Sequence, residues 1–490
     1  MFSGKKAGCG GLIERAASGA ARAYFLLRQV SYYDATSARL KWSKRFAVNG
    51  RPKSLIFKAD PRTSKGRNYA MSKDSIIPVQ RRTILKAGLA IGAMQVASPF
   101  VIKSLADEPV KIGWVDPFSG TYAALGTSQL NGAKMALAEV NAKGGMLGRQ
   151  VQILPEDNAA NVGQATVKVN KLIDQDKVNF ICGSVSSAVA LAESQAANLK
   201  NTLYIATGGH VDTVTGTDCH WNTFKICSDT WMLAQALSKT LLSKFGKKWY
   251  FCTPDYAWGH FLYAGFSEIL KKAGGTVLGN ELMPLGSTDF SAALIKVQQA
   301  KPDVFIVLQG GDDFVNVMKQ ATQFGMTKNM AFGYGLVELE PLAALPKEAR
   351  LGWGVMEWWW DQPNQPHVKA FVDKYRKTYA SSSQSTPSAR SWFGYVAVHS
   401  LAMAAAKAKS IDSVKMAHAM EGLVLPPEVA LEPDNPFYRP GDHQCMITQY
   451  VGEVNGAGSY PDLFKVSDVI GGASLARTPA EKGCKLTYPA

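Results

Sequence analysis

Two neighbouring stretches, "VKIGWVD" (110–116) and "SQLNGAKMALAEVNAKGG" (128–145), decide the fold. The first is a short apolar run of strand length. The second repeats its apolar residues with a helical period and closes on two glycines. The unit then recurs, with strands at 150–154, 178–182 and 203–206 and helices at 161–175 and 187–199. After "NTFKICSD" (222–229) a second series begins with a helix at 230–245. Its strands are predicted at 249–255, 276–282, 303–309 and 330–334, its helices at 259–273, 289–300 and 312–325. Strand–helix alternation of this kind implies parallel sheets covered by helices on both faces. Two series of similar size predict two α/β lobes. Beyond residue 353 the pattern mixes, with helices at 365–379 and 391–408 and strands near 445–451 and 463–467. The serine-rich "SSSQSTPS" (381–388) reads as a loop.

The 490 residues suffice for two lobes with cores of their own, and 46% hydrophobic content excludes a disordered chain. The net charge of +15 would suit nucleic acid or an anionic membrane. Its placement removes that reading. Of 54 Lys and Arg, 20 precede residue 107, against only 4 of the 39 Asp and Glu. The excess charge therefore sits in the leader, and the body is close to neutral. No nucleic-acid partner is expected.

From Met71 the leader has the parts of a secretory signal. A basic segment ends in Arg81 and Arg82, an apolar run occupies roughly 87–97, and small residues at 104–106 offer a cut near Ala106. "QRRTILK" (80–86) is similar to the twin-arginine export signal, which implies the twin-arginine machinery as a partner. The apolar run is too short to span a bilayer. Residues 1–70, with 15 basic and 3 acidic residues, are expected to lie upstream of the true start at Met71, a basic disordered tail being the alternative.

Six cysteines lie beyond the leader. Cys182, Cys227 and Cys252 stand in or beside apolar runs and read as buried thiols, whereas Cys219 and Cys484 lie in polar surroundings and are the candidate disulfide. No Cys/His spacing marks a metal site, no Gly-rich phosphate loop succeeds a strand, and no nucleophile–base–acid set is evident. No cofactor and no enzymatic activity are expected.

Candidate site residues collect at the predicted strand ends, where parallel sheets place ligands. In "ICGSVSSAVALAES" (181–194) Ser186 or Ser187 opens a helix, either as a cap or as part of an anion site. Gly208, Gly209 and His210 end the strand at 203–206; the glycines either let a ligand approach or make a tight turn. In the second series Trp258, Asp312 and Tyr334 hold the corresponding positions. Tyr122, just past the first strand, and Trp231 complete the candidate ligand-binding set.

The segment 111–173, together with "DYAWG" (255–259) and "GYVAVHSLAMA" (394–404), resembles the periplasmic branched-chain amino-acid binding proteins. The resemblance implies the type I periplasmic-binding fold: two doubly wound parallel-sheet α/β lobes joined by three crossovers, near 226–230, 354–360 and the C-terminal strands. The implied lobes are 107–227 with 358–433 and 228–357 with 434–475, leaving 476–490 as a tail. By position Ser187 matches the family's carboxylate-binding serine, His210 a carboxylate-binding threonine and Trp258 a ligand-contacting aromatic. The acidic residue that receives an α-ammonium group falls at Gly335, with Asp312 a candidate substitute. Glu338 and Glu340 are expected on the next helix. A carboxylate- or amide-containing solute without an α-ammonium group is therefore expected, with Trp231, Trp258, Tyr334 and Trp358 suggesting a flat one. The implied function is capture of a small-molecule solute in the periplasm for the membrane permease of an ABC importer. A sensory receptor of the same fold, or a periplasmic enzyme on a similar scaffold, is the alternative.

Overall fold

The computed structural model describes residues 108–489 and, farther upstream, an antiparallel pairing of β1 (Ala47–Val48) with β2 (Arg51–Pro52). Arg81, Arg82 and the expected cut near Ala106 lie outside the described residues.

The first sheet is built from β3 (Val110–Asp116), β4 (Val151–Asp157), β5 (Phe180–Gly183), β6 (Leu203–Ala206) and β7 (Thr223–Lys225). All are parallel, in the order β4-β3-β5-β6-β7. β5 ("FICG") and β6 ("LYIA") are buried along their whole length, as strands covered on both faces must be. The helices between them are α1 (Ala123–Ala142), α2 (Val162–Asp174) and α3 (Ser187–Asn198). Asn161 caps α2 by accepting a hydrogen bond from the Gln164 amide at 2.9 Å.

The chain crosses at 226–229 into α4 (Thr230–Lys244), whose cap Asp229 accepts from the Met232 amide. The second series continues with β8 (Lys248–Pro254), α5 (Ala257–Lys272), β9 (Thr276–Met283), α6 (Ser291–Ala300), β10 (Val304–Val307), α7 (Gly311–Gln323), β11 (Ala331–Tyr334), α8 (Leu339–Ala344) and β12 (Trp353–Met356). After Glu357 the chain returns to the first lobe with α9 (Pro366–Thr378), α10 (Ala389–Ala408), α11 (Ser413–Met420) and α12 (Pro427–Ala430). It crosses again to β13 (Gln449–Val454) and β14 (Phe464–Ile470). The second sheet runs β14-β13-β12-β11-β10-β8-β9. It is not wholly parallel: β13 and β14 pair antiparallel on one edge.

An apolar layer covers each face of each sheet. In the first lobe Trp114, Met135, Phe180, Trp392, Val396 and Leu401 fill one side, and Val169, Ile181, Val189 and Tyr204 the other. α10 is apolar nearly all round because it is buried between α1 and the last helices. α1 and α10 cross at two glycines: a Cβ on Gly132 would stand 1.7 Å from the Ser391 carbonyl oxygen, and one on Gly394 1.9 Å from that of Gln129.

One placement differs from the sequence reading. Residues 436–446, assigned there to the second lobe, pack on the first: Lys225 donates its amide to His443 and accepts from that of Cys445. The tail is tied down, as the candidate disulfide implies. α13 (Pro479–Lys482) and the residues after it return to the first lobe, where Cys484 is disulfide-bonded to Cys219, 265 residues away. Tyr488 hydrogen-bonds Glu421 at 2.9 Å. On its way the tail lays Arg477 over the Trp231 ring and buries Lys482 against Asp229, Asp442 and Thr215.

The hinge is stitched across all three crossovers. The Ser228 amide donates to Glu357 Oε1 at 2.7 Å, and Gln449 Nε2 donates to Ser228 Oγ at 2.6 Å. No helix of the described residues is long and apolar enough to cross a membrane.

Candidate solute-binding site

A narrow cleft lies between the carboxyl ends of the two sets of strands, with about 340 Å³ of space between its walls, part of it open to solvent. Its first-lobe wall is Tyr122, Leu125, Val185, Ser187, His210 and Arg390. Tyr256, Trp258, Gln309, Gly310, Leu336 and Glu338 come from the second lobe. Ser187 opens α3, and its hydroxyl oxygen accepts from the Val211 amide at 3.2 Å, which leaves its proton to donate. Ser186, at the N-cap position, makes no side-chain capping bond. The first amides of α3 and the helix dipole favour an anion beside Ser187.

His210 is tied to the hinge. Its Nε2 stands 2.6 Å from Glu357 Oε2, and both side chains are buried. Burial alone would raise the Glu357 carboxyl, but the charge and hydrogen bond of His210 and the Ser228 amide bring it below its usual range. Glu357 is thus ionised, so His210 Nε2 is the donor. The His210 ring also meets Trp258 edge-on at 5.2 Å, and Trp258 Nε1 donates to the Leu308 carbonyl. Tyr122 and Tyr256 close the mouth with a hydroxyl contact of 2.5 Å. Gln309 offers a buried Oε1 without a partner among the described residues.

Below this floor, at the end of β3, Asp116 accepts from Trp114 Nε1 and Gln129 Nε2, each at 2.7 Å. Burial pushes its carboxyl up to about 7 in spite of those donors. Gly208 has a steric reason to be glycine: a Cβ there would stand 2.0 Å from Arg390 Nη1. Gly209 faces Ala190 of α3.

Four sequence candidates lie away from the cavity. Tyr334 is fully buried in the second core, where its hydroxyl donates to the Leu351 carbonyl at 2.6 Å. Asp312 is exposed on the solvent side of α7, because Phe314, Val315 and Met318 take the inner face. Trp231 lies beneath Arg477 of the tail. Trp358 packs in the first core and donates to the Leu431 carbonyl. The expected lack of a second-lobe acid is also corrected. Gly335 has no room for a side chain, a Cβ there meeting Leu262 at 2.4 Å, but Glu338 reaches the cavity from the residue before α8. It pairs with Arg390, and neither had been singled out as a ligand-binding group.

The model of the periplasmic binding protein family matches residues 109–459. A Leu/Ile/Val-binding protein homologue from Brucella suis is 26% identical over 349 residues, covering 68% of this chain and 85% of the relative. A periplasmic binding protein from Burkholderia mallei superposes with a TM-score of 0.71 at 28% identity, covering 77% of this chain and 98% of the other. An amino-acid ABC transporter substrate-binding protein from Pseudomonas fluorescens gives 0.68 at 25% identity, covering 78% and 100%.

Proposed function

The chain belongs to the periplasmic binding protein family, and on that premise we propose that it captures a small carboxylate- or amide-bearing solute between its lobes for an ABC importer. The observation that carries this reading is the cavity walled by both lobes, with Ser187 and the start of α3 on one side and the aromatic pair Tyr256 and Trp258 on the other. Ser187 and the first amides of α3 hold the carboxylate or amide oxygen. Tyr122, Tyr256 and Trp258 shape a slot for an apolar, flat or branched remainder. No step of chemistry is required of the site. Binding favours the closed form because only that form contacts the solute from both sides, and the permease reads the closed form. Export through the twin-arginine route, directed by Arg81 and Arg82, and residence in the periplasm after cleavage near Ala106 belong to the same reading.

Thermal unfolding with a panel of branched amino acids, aromatic carboxylates and small amides tests it. A true solute at 100 times its dissociation constant should add about 2.7 kcal/mol. Ser187→Ala should weaken a carboxylate about tenfold, through the loss of one hydrogen bond to a charged group. Failure of every member of the panel, with nothing bound to protein purified from its native source, would sink the proposal.

A further inference from the structure

Two side chains of opposite charge meet inside the cleft, one from each lobe. Arg390 stands in the first turn of α10, and Glu338 immediately precedes α8. Arg390 Nε donates to Glu338 Oε1. Their side chains are 4% and 8% exposed. Both line the solute cavity and also a second, narrow crevice walled by Trp358, Trp359 and Trp360, so the pair forms part of the partition between the two.

The two partners are not held equally. Arg390 is seated by the first lobe. Its Nη1 fills the space left by the missing side chain of Gly208 and lies 3.4 Å from Gln129 Oε1. Gly208 belongs to the turn that carries His210, and the neighbouring Gly209 packs on the start of α3 beside Ser187. The guanidinium therefore stands on the anion-binding side of the site. Glu338 has no side-chain hydrogen bond among the described residues except the one to Arg390, and it does not cap the helix it precedes. It also uses one nitrogen of the guanidinium edge. Nη2, which with Nε makes the fork that fits a carboxylate, has no hydrogen bond to the described residues.

We propose that Glu338 is a built-in stand-in for the solute. In the empty cleft its carboxylate occupies the place on Arg390 that a solute carboxylate takes, and capture exchanges one carboxylate for the other. This deepens the solute-capture reading and rests on it. Exchange keeps a hydrogen-bonded carboxylate on Arg390 throughout, whereas a neutral amide would leave this buried cation with only the more distant charge of Glu357. The site therefore selects carboxylates over amides. The empty protein is held shut by its own side chain, and its affinity is lowered by the fraction of molecules so closed.

Glu338→Gln keeps the shape and removes the charge. Small-angle scattering of the solute-free protein should show Glu338→Gln more open than wild type, and this arm needs no solute. Calorimetric titration with sodium benzoate, a flat carboxylate without an ammonium group, should show binding tightened about tenfold in Glu338→Gln. Arg390→Lys, which loses the fork, should weaken benzoate by at least about tenfold. Leucine serves as the comparison. Weaker binding of either acid by Glu338→Gln would overturn the proposal and make Glu338 a direct ligand of the solute. So would an unchanged solute-free scattering curve. Glu338→Asp, with a shorter reach, repeats the scattering test should Glu338→Gln not fold. If wild type binds neither acid, the capture reading fails for these solutes while the scattering result still decides the role of Glu338.

Discussion

The phenol oxygens of Tyr122 and Tyr256 stand 2.5 Å apart, one carried by each lobe across the mouth of the cleft. This contact exists only when the lobes are closed. Tyr256→Phe removes it and leaves the buried Tyr122 hydroxyl without that partner, at a cost to the closed form of about 1 kcal/mol. Solute affinity should fall by less than about fivefold, because the self-closed empty form loses the same contact, with the unfolding temperature little changed. Calorimetry beside thermal unfolding checks both, and an equal loss in the two would mean the hydroxyl is merely structural.

Gly208 is expected to be intolerant of the smallest side chain. The Cβ of Gly208→Ala would overlap Arg390 Nη1 and push the guanidinium off its seat. Overpacking of this kind costs about 1–3 kcal/mol, and carboxylate binding should fall with it. Gly209→Ala gives a contrast, since its Cβ meets Ala190 instead. It should destabilise the protein with less effect on the preference for carboxylates. Competition binding with an acid and its amide distinguishes the two.

Asp116 should make stability depend on pH. Burial holds its folded pKa near 7, against 3.8 for the unfolded chain, so between those values the folded state binds the extra proton. Stability from this group is complete below pH 4, declines as pH rises toward 7 and levels off above it. Asp116→Asn should flatten that decline relative to wild type. Denaturant melts at pH 4.5 and pH 7.5 test it, and an unchanged difference between them would remove Asp116 as the cause.

The disulfide closes a loop of 265 residues. Replacing Cys219 and Cys484 with serine should cost about 2–4 kcal/mol of stability. Tyr488 and Lys482 should become accessible to modification as the tail loosens. Limited proteolysis coupled to mass spectrometry would show cleavage beginning after residue 471 in the variant and not in wild type.

Most of the scaffold was legible because buried parallel strands and amphipathic helices leave periodic signatures. Ser187, His210, Trp258 and Tyr122 were reachable for the same reason: each comes directly after a strand or lies a few residues beyond one. Proximity to a strand end does not fix side-chain direction, however, so Tyr334 turned inward and Asp312 outward. Arg390 was missed because its helix is separated from the Gly208 turn by some 180 residues of sequence. Its one signal was a lone charge in an otherwise apolar helix start, "SARSWFGYV" (388–396). Glu338 precedes a helix of six residues, too short to show a period. β12 and the antiparallel edge at β13 and β14 escaped for a different reason, since their partners are set by tertiary contact.

The return of the tail to Cys219 fixes the order in which the molecule can be completed. The five strands β8 to β12 of the second sheet lie in one uninterrupted stretch, 248–356, and can assemble from local contacts. The first lobe draws on 110–225, 366–446 and 479–488, so it is begun first and finished last. Such distant pairings make for slow folding. A nascent chain short of its final ten residues would lack both Cys484 and Lys482, leaving the first lobe with the Cys219 thiol unpaired and the hinge residue Asp229 without its lysine. A C-terminal truncation should therefore damage the half of the protein encoded at the opposite end of the described chain.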